Sequence, residues 1–418
     1  MNSTHISRRT VLQSVGGGAL AASAAAHTGS LAGGPLAPWT PGTLDIHHIS
    51  TGRGNATLIV CPDGTSMMVD AGATYASLEY TVAPIPDGSR RPGEWIGRYA
   101  KRHLQAAGHG EIDYFVLTHF HGDHMGETTA GSPPSKDHDY LLTGVTDVEA
   151  VVPIRRYIDR CYPTYDYPIP QNDPWTGNYR KFIASQVKRG RSVERVRVGS
   201  ARQIALQHKP RSYPDFVVRN LAANGEVWTG VNEESRHLFP EIASLKPADY
   251  PSENMCSLAL RLSYGPFDYF TGGDLTCGTQ YGEAPWQDIE TPVAQIAGPV
   301  EVAVMDHHGV TGASGPGFIR ALRPRVFVLF AWDSAHPCMD TLNAMMGTRL
   351  NTGPRDIFST AMKQETRIAN RQVADMKSQN GHVVVRVAPG GKTYHVFITD
   401  NADESDRVIA QFGPYTCA

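Results

Sequence analysis

Three imidazoles and one carboxylate fall within six consecutive positions, His119, His121, Asp123 and His124, directly after the apolar run Tyr114-Phe115-Val116-Leu117. Such a run reads as a buried strand, and polar side chains crowded at its end are costly to desolvate unless opposite charge meets them. Residues two apart on a strand share a face, so His119 and His121 can aim at one metal ion. Asp123 and His124 fall on the following turn or helix start, where a second ion could sit. Two ions about 3.5–4 Å apart clamp and polarise the water between them. An H-x-H-x-D-H run arises by chance in roughly a few per thousand chains of this length. The spacing therefore points to a dinuclear metal centre at a strand end.

Composition narrows what such a centre can serve. With 38 Lys and Arg against 41 Asp and Glu, the net charge of −3 offers no general attraction to nucleic acid or anionic lipid, and no stable nucleic-acid binding is expected. A hydrophobic share of 41% against 19% charged residues suits a folded chain with a large core. The six cysteines contain no C-x-x-C pair and read as small buried side chains rather than a disulfide framework.

The N-terminus carries Ser7-Arg8-Arg9-Thr10-Val11-Leu12-Gln13, then a Gly/Ala-rich run ending in Ala24-Ala25-Ala26. This resembles a twin-arginine export signal. It divides the chain into a signal peptide over 1–26, a linker over 27–43 and a catalytic domain over 44–418, and places the mature protein in the periplasm or outside the cell. No later stretch approaches ~20 uninterrupted apolar residues, so no membrane span is expected in the mature chain.

Within the domain, three short β-type runs between 44 and 72 predict antiparallel strands, and residues 95–107 predict a helix. Further strands are expected at 257–263 and 269–271, at 302–305, at 326–330, and in a hairpin at 383–387 and 394–398. Between 130 and 250, Pro, Tyr and Arg follow one another closely and read as an insertion over the site. Its aromatic and Arg side chains would wall a substrate.

With these parts in view the sequence resembles the metallo-β-lactamase fold superfamily, whose signature is the H-x-H-x-D-H run. The resemblance implies an α/β fold, a four-layer αββα sandwich with an inserted lid region. Val69-Asp70-Ala71-Gly72 matches the family's first motif, whose carboxylate orients the ligand loop. Gly272-Gly273-Asp274 matches the motif whose Asp bridges both ions, and Asp306-His307-His308-Gly309 holds the last histidine. The implied metal ligands are His119, His121, Asp123, His124, Asp274 and His308, with His307 as orienter or as ligand in its place. The family's third-motif His has no good counterpart, since His138, His208 and His237 stand in irregular or charged contexts. Glu253-Asn254 and Ser257 occupy that region, with Asn254 on the substrate side.

Gly52-x-Gly54-Asn55-Ala56, Asn254-x-x-Ser257, Gly273-Asp274, His307-His308-Gly309 and Ala335-His336-Pro337 together resemble the branch of the DNA-uptake competence protein extracellular domain and bacterial phosphorylcholine esterase. That branch implies an exported hydrolase using two divalent ions, zinc or manganese, and their bound hydroxide on phosphodiesters. Asp123 would orient the hydroxide and His336 would donate to the leaving group. The substrate would be a small molecule or a surface polymer. The same centre could instead open esters, lactones or β-lactams, or hold iron for redox chemistry. Replacing Arg8-Arg9 by Lys-Lys is expected to strand the protein in the cytoplasm; mature protein still reaching the periplasm, by cell fractionation, would refute the export reading.

Overall fold

The computed structural model describes residues 33–278 and 284–417, and the signal peptide read over 1–26 lies outside them. Along the chain, β1 (Leu44–His48), β2 (Thr57–Val60), β3 (Ser66–Val69), β4 (Ile112–Val116), β5 (Ile154–Asp159) and β6 (Ser192–Arg195) enter a first sheet. A second sheet takes β7 (Phe216–Ala223), β8 (Glu226–Trp228), β9 (Ser235–His237), β10 (Ala259–Tyr264), β11 (Phe267–Thr271), β12 (Val302–Val304), β13 (Val326–Leu329) and β14 (Asp356–Ser359). The chain then returns to the first through β15 (His382–Val387), β16 (Thr393–Thr399) and β17 (Val408–Thr416). The first sheet is ordered β17-β16-β15-β1-β2-β3-β4-β5-β6 and the second β14-β13-β12-β11-β10-β7-β8-β9.

Strand side chains alternate faces, and here both faces of each sheet are apolar. Tyr114 and Val116 of β4 meet Val326 and Val328 of β13 in the core between the sheets. Their neighbours Phe115 and Leu117 point the other way, into a core built with α1 (Pro92–Leu104). After the single turn α2 (Gly122–Met125), α3 (Gly144–Val151) and α4 (Pro174–Lys188) join that layer. On the far side, Phe327 and Leu329 pack with α5 (Glu290–Ala297), α6 (Pro316–Leu322) and α7 (Met339–Met346). The result is the four-layer αββα sandwich.

The parallel pairs β3/β4 and β11/β12 matter most for function. Val69 lies opposite Val116, so Asp70 and the run after β4 leave the sheet side by side. Parallel strands place their carboxyl ends on one rim, where ligand sites of α/β sheets collect. Among the described residues, no helix is long and apolar enough to cross a membrane.

Two elements differ from expectation at their ends or in kind. Helix α1 begins at Pro92, because Pro fits a first helical position and Glu94 caps the Arg91 amide at 2.9 Å. The stretch 130–250, expected as one insertion over the site, supplies α3, α4 and five strands, β5 to β9. Its tyrosines are largely core filling with a polar handle. Tyr165 and Tyr179 are buried and donate to Asp159 at 2.9 and 3.3 Å, and Tyr157 donates to Glu149 at 2.8 Å.

Three histidines on the β1/β15 pair are buried. His47 Nδ1 meets Tyr99 OH at 3.0 Å, His48 Nδ1 meets the Val383 carbonyl at 3.0 Å, and His382 Nδ1 accepts the Ser50 amide at 3.0 Å. Burial pushes His47 down to about 4, and His48 and His382 to about 3, from 6.5. Above pH 6.5 both folded and unfolded chains are neutral here, so the stability is fully present. As pH falls below 6.5 the unfolded chain takes up protons that the folded chain refuses, and stability is lost until the folded values are reached. Urea unfolding at pH 5 against pH 8 is expected to show a loss of about 1–2 kcal/mol per histidine. His382→Gln, which keeps the acceptor for Ser50, should shrink that loss.

Candidate metal centre

Asp70, in a left-handed conformation with φ 60°, turns its carboxylate back across the end of β4. It accepts the Thr118 amide and the Thr118 hydroxyl, both at 2.8 Å, and His124 Nδ1 at 2.7 Å. Because the Thr118 proton goes to Asp70, its oxygen accepts from His119 Nδ1 at 3.1 Å. His308 Nδ1 likewise donates to the Phe330 carbonyl at 3.0 Å. These bonds fix the tautomers, leaving a lone pair on Nε2 of His119, His124 and His308.

Those lone pairs converge in two groups that share Asp274. His119, His121 and Asp274 form one; Asp123, His124, Asp274 and His308 form the other. His119 Nε2 lies 3.1 Å from His121 Nδ1 and 3.7 Å from Asp274 Oδ2. His124 Nε2 is 3.1 Å from Asp274 Oδ1, and His308 Nε2 is 2.9 Å from Asp123 Oδ2 and 3.6 Å from Asp274 Oδ2. Four of these residues follow β4 in the first sheet, while Asp274 follows β11 and His308 follows β12 in the second. The Asp274 amide donates to Ser257 Oγ at 3.1 Å, which fixes where its carboxylate stands.

A four-layer αββα sandwich with H-x-H-x-D-H after one parallel strand, and a shared Asp and a His after two facing ones, decides the architecture. This is the metallo-β-lactamase fold. No protein-family model and no curated protein matches the chain. Among solved structures it is similar to CmlA, a diiron β-hydroxylase from Streptomyces venezuelae, at 12% identity and TM-score 0.39 over 84% of this chain and 55% of that one. The chain thus spans about half the length of CmlA. It is also similar to a diphosphatase of the PhnP family (11%, TM-score 0.32, 82% of this chain and 96% of that one) and to a metallo-β-lactamase with a HARLDQ motif from Cronobacter sakazakii (13%, TM-score 0.30, 65% and 79%).

The candidate centre fits cations on its own electrostatics. Asp70, Asp123 and Asp274 lie in one buried cluster, and none of them has a Lys or Arg ion pair among the described residues. His124 Nε2 and Asp274 Oδ1 are buried without a hydrogen-bond partner although they face each other. Burial disfavours the Asp274 anion, yet the imidazoles of His124, His308 and His119 hold its carboxyl well below the usual range. Burial equally disfavours the His124 cation, and Asp274, Asp123 and Asp70 overcome it, raising that imidazole well above its usual value. Three carboxylates without a paired Lys or Arg want positive charge, and imidazole with carboxylate is a donor set that suits divalent transition-metal ions.

The remaining candidates stand around this cluster. His307 and His308 share a left-handed turn (φ 45° and 53°) that sends neighbouring rings to different places. His307 is partly exposed, with Nε2 3.8 Å from Asp274 Oδ2 and 3.1 Å from Asn254 Nδ2. His336 stacks on His308 with ring centres 4.5 Å apart, and its Nδ1 accepts the Trp332 and Asp333 amides at 3.4 and 3.3 Å. His138, His208 and His237 join neither group. His208 sits near Asp113 and His109 at the other end of β4, where both ring nitrogens of His109 face carbonyl oxygens at 2.9 and 2.7 Å.

Two supports have roles that the sequence reading did not assign. Arg160, fully buried, forms a bidentate pair with Glu253, and Glu253 Oε1 accepts the Phe120 amide at 2.7 Å, between the first two histidines. A Cβ at Gly54 or Gly72 would lie 2.2 or 1.9 Å from the Asp123 carbonyl oxygen, so only glycine lets these loops close on the ligand turn. Elemental analysis is expected to find about two metal ions per chain. His121→Ala should lose roughly one, Asp274→Asn most of both, and His307→Ala neither; a protein with no metal and no uptake would overturn the assignment.

Proposed function

We propose that the chain is an exported dinuclear metal-dependent hydrolase that cleaves phosphodiesters. The observation that carries this reading is the pairing of two ligand groups on a shared Asp274 with a flank where Asn254 and the partly exposed His307 meet. Ions held by His119, His121 and Asp274, and by Asp123, His124, Asp274 and His308, would supply Lewis acidity and a water that ionises near neutral pH.

The chain's own residues do the rest. Asp123, the least enclosed of the carboxylates, stands with one oxygen 2.9 Å from His308 Nε2, among the ligand atoms, and can orient an attacking water with the other. His336 holds its proton on Nε2, because Nδ1 is occupied by two backbone donors. It therefore acts as a neutral hydrogen-bond donor to the leaving oxygen or to charge developing on phosphorus. His307 and Asn254 border the opening and are placed to hold a non-bridging oxygen. The preference for a diester is supported by the branch motifs: Gly54, Asn254, Ser257, Asp274, His308 and His336 all gather at this one centre. A monoester brings a second negative charge, which three carboxylates in the site oppose.

Turnover of bis-(p-nitrophenyl) phosphate is expected to exceed that of p-nitrophenyl phosphate. His336→Ala should lower kcat about 10²-fold or more while metal content stays intact. Inertness to diesters with opening of lactones or β-lactams would replace the substrate class and leave the centre. Bound iron with substrate-linked oxygen consumption would replace the reaction.

A further inference from the structure

A cleft of about 440 Å³ opens beside the loop that follows β3, lined by Arg53, Thr74, Tyr75, Ser77, Arg90 and Arg91 among others. Its charges do not balance. Arg91 is satisfied by Asp147, at 2.6 Å, with Glu94 also in range. Arg53 is only 5% exposed, yet it has no carboxylate partner among the described residues; Nη1 donates to the Ala76 carbonyl and Thr81 Oγ1 at 3.1 and 2.8 Å. The Glu127 carboxylate is occupied by Thr74 Oγ1 and the Tyr75 amide, at 3.0 and 2.8 Å. Arg90 is exposed, lies over the Trp95 ring at 5.5 Å and makes no ion pair among the described residues. Glu127 acts on Arg53 only through space, and a guanidinium nearly withdrawn from water without a direct ion pair is costly, while its planar fork suits an oxyanion.

The cleft is also coupled to the metal centre. The Arg53 carbonyl accepts the Thr74 amide at 2.9 Å; two residues on, the Asn55 amide donates to the Asp123 carbonyl and its own carbonyl accepts Gly72, both at 2.8 Å. The loop forming the cleft's outer wall is tied to the segment that carries His336, through Val82 to Trp332 at 2.8 Å and Ser334 to Tyr80 at 2.9 Å. Tyr75 and Leu78 on that loop are exposed and give an apolar surface for a connecting chain.

We infer that this cleft is a second subsite, in which Arg53 and Arg90 receive a further oxyanion of the substrate, a carboxylate or phosphate joined to the scissile diester by a short apolar spacer. The assignment rests on the diesterase reading above and narrows its substrate class to diesters with a second negative group.

Methyl p-nitrophenyl phosphate and its analogue with a 4-carboxybutyl group in place of methyl share one leaving group and differ in the distal carboxylate. With the metal-loaded protein, kcat/KM for the carboxylated diester is expected to exceed that for the methyl diester about tenfold, chiefly through KM. The ratio should fall towards one in Arg90→Ala and in Arg53→Gln, and because it is a ratio it is insensitive to a general loss of active protein. Calorimetric titration with inorganic sulfate provides a readout without turnover: binding in the wild type that is lost in Arg90→Ala supports the subsite. A wild-type ratio near one, with both diesters cleaved, overturns the subsite and spares the diesterase reading. Cleavage of neither diester overturns that reading, and the sulfate titration then decides the anion subsite: binding unchanged by Arg90→Ala, or none, refutes it.

Discussion

The site depends on where Asp70 sends its two oxygens. One oxygen takes the backbone of Thr118; the other takes the Thr118 hydroxyl and the His124 ring. Through that hydroxyl the effect reaches His119 as well. A single carboxylate at the end of β3 thus fixes the orientation and tautomer of two imidazoles in the run that follows the neighbouring strand. It can do so only because β3 and β4 are parallel and in register, with Val69 opposite Val116. The carboxylate does this while fully buried and outside either ligand group, which explains why a residue that touches no ion belongs to the constellation.

Holding such a centre requires backbone conformations that L-residues avoid. Asp70, His307 and His308 all have positive φ, each at a cost of order 1–3 kcal/mol. The surrounding layers sustain that cost. Four apolar faces enclose the sheets, and the buried Arg160–Glu253 pair ties the Phe120 amide, inside the ligand run, to the segment leading into β10. A buried ion pair is weak evidence for stability, but one that clamps a peptide between two candidate ligand histidines has a positional use.

What could be read from residues alone follows the range of the interactions involved. The ligand run, the first three strands and the last hairpin are local patterns, and each appears where alternation or spacing put it. Asp274 and His308 were legible because each follows an apolar strand. Strand β5 was hidden by its own sequence, Ile-Arg-Arg-Tyr-Ile-Asp, whose arginines suggest a loop. In the fold, Arg156 lies over the Tyr114 ring at 5.0 Å and also donates to its hydroxyl at 3.2 Å, and Arg155 is exposed, so both charges stay off the core while the other four residues of the strand are buried. The Arg160–Glu253 contact joins residues 93 apart and leaves no local signature. His307 and His308 could not be told apart because adjacent residues on a left-handed turn diverge in a way that no periodicity encodes.

The ligand set is drawn from both halves of the sandwich: four side chains come from the rim of the first sheet, and Asp274 and His308 from the rim of the second. An ion bound there is a cross-link between two layers otherwise joined by apolar packing. Anything that binds the closed arrangement and not the unfolded chain adds RT ln(1 + [L]/Kd) to the work of unfolding. With ions bound there, closure of the seam between the sheets would follow metal supply, and the same loss that emptied the site would loosen the two layers from each other.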